Sequence, residues 1–499
     1  MEKLRQAPKI ISIFSNVACN GKAEYAINLA TAIAKIARAR VLLVCNKECI
    51  IDPSAGIDKV LMERVDKESI DKIKQGYGYV LIDLLVDHGE NEYEMFYCSD
   101  SIHFFLESTR DSLEKGHEFL QGLVTKGLGE VSNRFKVVVH NLDIFDRLSL
   151  EEMAWLIRRN VWAGVPEQGM AETSIDTKGM PLVIRSPEDA YSRSLIHIAK
   201  RESGMLLGLA LGSGAAFGLA HIGVLKVLEK NRIPIDIISG SSIGALIAIM
   251  WGIGLSPGKI EQIAGRLKHK LNIMRLLDFT MPISGILAGN RLKRFLKGIF
   301  GEKTFEDLKI PVKIIVYDLA NRETLVMEKG LLLDAVYMSM AVPGIFEPKI
   351  EKTRVIIDGG VSEPVPVDAL SKEGVKKIIA VNVLPGPADI HERNMLLKKR
   401  LEDEENLVCS SSFSIKAVVL LKKFFRRVFT PNIFDVIMTS MQSMEYVLAE
   451  EACRKASVSL HPVYADAGSI DFHLVRHFIK RGEEEAGSKL AEIKKLAFE

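Results

Sequence analysis

The feature that most restricts this chain is a five-residue turn, Gly240-Ser241-Ser242-Ile243-Gly244, set between two apolar runs of different character. Before it, Ile233 to Ile238 is short, apolar and β-branched, which reads as a buried strand. After it, Ala245 to Trp251 reads as a helix. A Gly-x-Ser-x-Gly between a strand and a helix is the nucleophile-elbow pattern. Gly240 and Gly244 let the chain turn sharply, so the Ser242 hydroxyl projects with a helix N-terminus beneath it.

A serine nucleophile needs donors for an oxyanion and a base for its proton. Upstream, Leu206 to Leu211 reads as a strand and Leu219 to Lys230 as a helix. Between them lies Gly212-Ser213-Gly214-Ala215-Ala216-Phe217-Gly218, a loop of small residues ahead of a helix N-terminus. Backbone N–H groups there suit a phosphate or an oxyanion. A second strand and the serine turn follow at once, which favours the oxyanion. His221 falls in the first turns of the helix with no evident line to Ser242, so it reads as structural. In Val355-Ile356-Ile357-Asp358-Gly359-Gly360 a strand delivers a carboxylate onto a Gly-Gly turn. Asp358 there either faces a neighbouring loop as a base or only caps its own turn, and the local sequence leaves both readings open.

Taken together, Gly212 to Leu225, Gly240 to Gly244 and Asp358-Gly359-Gly360 resemble the patatin-like phospholipase family. Met340 to Pro348 and Pro364 to Asp368 add to the likeness, which runs in order from about residue 205 to about 485. The resemblance implies a three-layer α/β hydrolase with a Ser-Asp dyad, Ser242 as nucleophile and Asp358 as its direct base. It also implies an oxyanion hole of backbone N–H groups from Gly212, Ser213, Gly214, Ala215 and Ala216. Gly218, Gly240, Gly244, Gly359 and Gly360 would be the motif glycines. The implied reaction is hydrolysis of a lipid or other acyl ester through an acyl-enzyme, with no cofactor and no metal. Ser213 and Ala215 replace family glycines but keep an N–H, whereas Phe217 stands where the family usually has arginine. That change bears on loop rigidity and on the local potential. The rival reading is a catalytically weak or inactive adaptor that acts by binding a partner or a membrane.

The first 200 residues read as a different body. Lys9 to Ser15, Arg40 to Cys45, Tyr77 to Asp83 and Phe135 to Asn141 are strand-like, and Ala26 to Ala37 is helix-like, a βαβ beginning. Their order over residues 8–200, with Gly179 to Val183 before a last helix, resembles the MinD/ParA-type P-loop ATPase fold. The resemblance implies an N-terminal P-loop NTPase-like α/β domain. Its phosphate loop departs from Gly-x-x-x-x-Gly-Lys-Ser/Thr. Asn16 replaces the first glycine, Ala23 the hydroxyl residue and Val17 the subgroup's early lysine, leaving Gly21-Lys22. The expectation is a degenerate domain with weak nucleotide binding or none, left with docking, partner recognition or homo-oligomer formation. Lys22 reads as readily as a solvated surface lysine.

The domain expectation is therefore 1–190, a linker over 191–204, a hydrolase-like domain over 205–485 and a helical tail over 486–499. Hydrophobic residues at 47% and charged residues at 26% are ordinary for globular domains, and a net charge of +2 makes no case for nucleic acid. Six cysteines without zinc-like spacing suggest a reducing compartment. No signal-peptide h-region follows Met-Glu-Lys-Leu-Arg-Gln and no apolar run reaches spanning length, so a cytoplasmic protein is expected, peripheral at an inner membrane face if it meets a bilayer. The means would be residues 414–429, with five Lys/Arg and no acid. At about 100° per residue its basic and apolar side chains fall on opposite arcs, a pattern for an anionic interface or for packing on the hydrolase core. His473 and His477, with Asp471 near, are spaced for one helix face but lack a third metal ligand, and Glu483-Glu484-Glu485 reads as a solvated face.

Overall fold

The computed structural model describes the chain apart from residues 1–6, 18, 20, 47, 63–64, 84–89, 141–147, 149, 167–174, 177, 268–277, 279–284, 352, 410–432 and 463–466. The basic stretch 414–429 thus lies outside the described residues. Two compact units divide the chain, Met1–Met205 and Leu206–Glu499.

The first unit is built on seven strands: β1 (Lys9–Phe14), β2 (Val41–Cys45), β3 (Asp58–Leu61), β4 (Tyr79–Asp83), β5 (Ser101–Glu107), β6 (Phe135–His140) and β7 (Val161–Val165). They pair in the order β3-β2-β4-β1-β5-β6-β7, every pair parallel. A parallel sheet is covered on both faces, which is why its strands read as unbroken apolar runs. Within β1, Ile11 and Ile13 enter one core while Ile10 and Phe14 enter the other.

Two helices on one face, α1 (Lys22–Ala37) and α2 (Ala190–Ser203), pack against each other. Helix α2 corrects the expected linker at 191–204. Its Tyr191, Leu195 and Ile198 are buried in the core of this unit, a narrow i, i+4, i+7 stripe in an otherwise polar sequence. Glu202 secures its end, because the buried carboxylate meets Lys9, Lys136 and His103. Burial alone would raise the Glu202 pKa, but the His103 hydrogen bond and the charges of His103, Lys136 and Lys9 hold it well below the usual carboxylate range. Lys22 is corrected as well. It is not a solvated lysine, since its ammonium is largely buried in an ion pair with Asp83 at the end of β4.

In the second unit the main sheet runs β14-β15-β11-β9-β8-β16-β17, with β12 also on β11. Its strands are β8 (Leu207–Leu211), β9 (Ile237–Ser241), β11 (Val312–Asp318), β12 (Glu323–Met327), β14 (Lys349–Glu351), β15 (Arg354–Asp358), β16 (Lys377–Val381) and β17 (Val458–Leu460). Strands β10 (Gly285–Leu287) and β13 (Gly344–Phe346) form a separate parallel pair. Five helices matter below: α3 (Ala220–Lys230), α4 (Ile243–Gly252), α5 (Leu332–Ser339), α6 (Ile433–Lys455) and α7 (Val475–Ser488). Leu207, Leu209, Leu211, Ile379 and Val381 share a core with α3, α4 and α7. Ala210, Ile378 and Ala380 share the opposite core with Ala449, Ala452 and Cys453 of α6. Helices on both faces of a mixed sheet make this a three-layer α/β unit. Among the described residues no helix is long and apolar enough to cross a membrane.

The pairing on β11 brings the serine turn and the aspartate turn together. The same edge of β11 is shared by two strands: β9 runs parallel to it and stops with Ser241 opposite Ile315. Strand β15 runs antiparallel and stops with Asp358 opposite Val316. Two strands thus end head to head at adjacent residues of one neighbour. The turns leaving them, Ser242 onward and Gly359 onward, are forced together.

Candidate active site

Ser242 begins the turn into α4 with φ 55° and ψ −121°, a backbone state that non-glycine residues rarely hold. Its N–H donates to Ser339 Oγ at 2.9 Å, and Ser339 Oγ donates in turn to the Ile315 carbonyl at 2.7 Å. The last residue of α5 thereby pins the strained serine to β11. Sequence reading passed over Ser339, which lies next to Met340 but has no motif of its own.

The Ser242 Oγ donates to Asp358 Oδ2 at 2.6 Å, while the Gly360 N–H donates to Oδ1 at 2.7 Å. Asp358 is therefore both a base-positioned carboxylate and the cap of its own turn, so the two readings left open by the sequence coexist. It is only 4% exposed. Burial pushes its pKa up to about 6, against the hydrogen bonds from Ser242 and Gly360, which lower it. A second carboxyl approaches from α6: burial, and then the Asp358 charge, push Glu445 up to about 8. Glu445 carried no sequence signal, because nothing in a helix pattern says which sheet turn it will meet.

The loop after β8 lies against the serine turn. A Cβ on Gly218 would fall 2.1 Å from Ile243 Cγ2, and one on Gly212 would fall 2.8 Å from the Val381 carbonyl oxygen. Of the five N–H groups assigned to an oxyanion hole, three are already engaged. Gly212 donates to Val381 O (3.0 Å), Ser213 to Pro364 O (2.8 Å) and Ala216 to Ser469 O (2.9 Å). These bonds stitch the loop to its surroundings, which corrects the five-residue expectation. Gly214 and Ala215 remain, with no acceptor among the described residues for either N–H. They are also the most accessible members, Gly214 half-buried and Ala215 exposed at φ 50°.

Two side-chain contacts anchor that loop. His221 is fully buried with Nε2 donating to the Gly212 carbonyl at 2.8 Å, and burial lowers its pKa to about 4, so the ring is neutral. Phe217, in the position where arginine was expected, is buried and meets Phe478 of α7 edge-on at 5.8 Å. An aromatic pair here takes over anchoring but supplies no positive charge. Ser213 is buried beside the carboxylate: a Cβ placed on Gly360 would lie 3.0 Å from Ser213 Oγ and 3.1 Å from Asp358 Oδ1.

The remaining sequence candidates do not converge here. His473 Nδ1 lies 3.9 Å from Asp471, His477 lies against Phe478, and no metal-binding group of three gathers among the described residues. Glu483 pairs with Lys226 and Glu485 accepts from the His461 N–H, so that run is only partly a solvated face. A surface cleft lined by Glu229, Arg232, Trp251 and Lys309 sits at the C-terminal ends of α3 and α4, away from Ser242 at the start of α4.

Residues 209–371 match the model of the family described as patatin-like phospholipase, so the chain carries a patatin-like phospholipase domain there. It is similar to neuropathy target esterase sws of Drosophila melanogaster, 31% identical over 209 residues that cover 39% of this chain and 15% of that protein. Lysophospholipase NTE1 of Saccharomyces cerevisiae is 29% identical over 209 residues, 41% of this chain and 12% of that protein. Patatin-like phospholipase domain-containing protein 6 of Pongo abelii is 30% identical over 239 residues, 46% and 18% of the respective chains. The matched part thus spans at most 18% of the length of these curated relatives. Among solved structures, the chain is similar to a ParA family ATPase from Chlorobium tepidum TLS, 15% identical, covering 39% of this chain and 98% of that one at a TM-score of 0.32. The MinD cell division protein of Aquifex aeolicus is 16% identical, covering 39% and 97% at a TM-score of 0.32.

Proposed function

We propose that the patatin-like phospholipase domain of this chain hydrolyses a carboxylic ester of a lipid, with Ser242 as nucleophile and Asp358 as its only base. The observation that carries this reading is the 2.6 Å hydrogen bond from a strained, buried serine to a buried carboxylate whose pKa stands near 6. An ordinary aspartate is too weak a base for a hydroxyl near neutral pH, and burial narrows that gap.

The chemistry follows from these atoms. Ser242 Oγ attacks the ester carbonyl carbon as its proton passes to Asp358 Oδ2. The carbonyl electron pair moves onto oxygen, and the Gly214 and Ala215 N–H groups stabilise that oxyanion. Collapse breaks the ester C–O bond, and the departing alcohol takes the proton from Asp358. Water then attacks the acyl-enzyme, gives a proton to Asp358, and the second collapse frees the fatty acid and returns the proton to Ser242. The Ser242 N–H, held by Ser339, takes no part.

Two measurements test the reading. A fluorophosphonate probe should label the protein, and Ser242→Ala should remove the label while leaving the fold intact by circular dichroism. Unlabelled but folded wild-type protein would favour the adaptor reading. The second is the pH profile of kcat/KM on a soluble ester. Because Asp358 acts ionised, activity should rise through a midpoint near 6 and level off above it, falling about tenfold per pH unit on the acid side. A midpoint at the ordinary aspartate value would remove the buried base from the mechanism.

A further inference from the structure

Among its described side chains, helix α6 is docked by its C-terminal half. Ala449, Ala452 and Cys453 are buried there, and Lys455 pairs with Asp368. Earlier turns are different. From Val436 to Met444 no residue is buried, and the stretch Val-Ile-Met-Thr-Ser-Met-Gln-Ser-Met carries no charge. At about 100° per residue, Val436, Ile437, Met441, Met444, Val447 and Leu448 fall within one arc of about 140°. That arc does not contain the buried Ala449 and Cys453. Met444 and Val447 are 62% and 64% exposed. An exposed apolar arc without charge on a helix of a folded unit marks a surface that something else covers.

Its location narrows what that is. Helix α6 packs against the Gly359–Val361 turn that follows Asp358, and its Glu445 lies near enough to feel the Asp358 charge. The helix that carries the apolar arc therefore runs past the serine site. In the sequence, α6 is preceded by the stretch 414–429 with five Lys/Arg and no acid. Charge of that sign shortly ahead of an uncharged apolar stretch in the sequence complements an anionic lipid surface.

We infer that the Val436–Leu448 arc of α6 is a docking surface for an anionic lipid bilayer, seated at the headgroup–acyl boundary beside the Ser242 site. The inference rests on the lipid-ester reading above and gives it a route: substrate is taken from the bilayer rather than from water. Apolar side chains at the arc enter the acyl boundary with Ser440 among them, while Thr439, Gln442 and Ser443, outside the arc, lie at polar level. The competing occupant is a second copy of this chain.

The test uses the full chain and its triple variant Ile437→Ser, Met444→Ser, Val447→Ser, all at exposed positions. Flotation is measured with phosphatidylcholine vesicles with and without phosphatidylserine, alongside oligomeric state by light scattering. Wild type should float with the phosphatidylserine vesicles, and the variant's bound fraction should fall about tenfold or more. Hydrolysis of a short soluble ester by the variant should stay at the wild-type rate. Equal flotation of both proteins, or none by wild type, overturns the inference. So does a wild-type dimer that the variant converts to monomer without a change in flotation. Flotation requires no catalysis, so failure of the Ser242 mechanism and failure of this surface give separate results.

Discussion

Asp358→Asn should lower kcat on a soluble ester by about 10²–10⁴-fold or more, and at the same time stabilise the fold at neutral pH. Both effects have one cause. The carboxylate is buried and, among the described residues, accepts two hydrogen bonds, from Ser242 and Gly360. An asparagine keeps both contacts, its carbonyl accepting from Gly360 and its amide donating to Ser242 Oγ, but it cannot take a proton. The sign of the stability change follows from the raised pKa. A carboxyl at about 6 in the folded state and 3.8 otherwise binds its proton more tightly when folded. Its contribution therefore favours the fold at low pH and is lost as pH rises from about 4 through about 6. Above that window the buried charge costs on the order of 3 kcal/mol, which the asparagine variant does not bear. Thermal melts of both proteins at pH 4 and pH 8 should show a gain for the variant only at pH 8. A variant less stable than wild type at pH 8 would mean that the carboxylate is held by more than these two bonds.

Gly244→Ala should disturb both the fold of the second unit and the serine turn. A Cβ at that position would fall 2.1 Å from the Leu211 carbonyl oxygen and 2.7 Å from that of Gly212. Neither contact is with a flexible side chain. Leu211 is the last residue of β8 and Gly212 opens the loop that carries the Gly214 and Ala215 donors, so α4 or that loop must move. Overpacking of backbone against backbone costs about 3 kcal/mol or more, roughly 6–10 °C of melting temperature for a unit of this size. Esterase activity should fall further than stability does, because the displaced parts are the serine turn and its donors. Calorimetry and kcat on the same preparation check both. A melting temperature within about 1 °C of wild type would contradict the close approach.

Local chain chemistry made the centre of the site legible. Gly240, Ser242 and Gly244 specify a turn that only a strand-to-helix junction uses, and Asp358-Gly359-Gly360 specifies a carboxylate at a strand end. In the first unit β1, β2, β4 and β6 were readable because they are largely apolar runs, whereas β3, β5 and β7 were not singled out. What failed was what depends on partners. Residues 191–204 read as a linker because their buried apolar stripe is narrow in a polar segment, and only packing on α1 and the Glu202 ion-pair cluster reveal the helix. Lys22 read as solvated because its partner, Asp83, is 61 residues away.

By itself, then, the sequence marked Ser242 in its turn, the Asp358 carboxylate at a strand end and the glycines that let backbones meet, because each is encoded within a few neighbouring residues. Tertiary structure decided that β9 and β15 end head to head on β11, which turns two separate motifs into one hydrogen-bonded pair. It decided which loop N–H groups are spent on Val381, Pro364 and Ser469 and which stay available. It also set the acidity of Asp358, since a pKa is a property of the surroundings, and brought Glu445 of α6 near that carboxylate. These are matters of which distant groups share a small volume, and no local pattern records them.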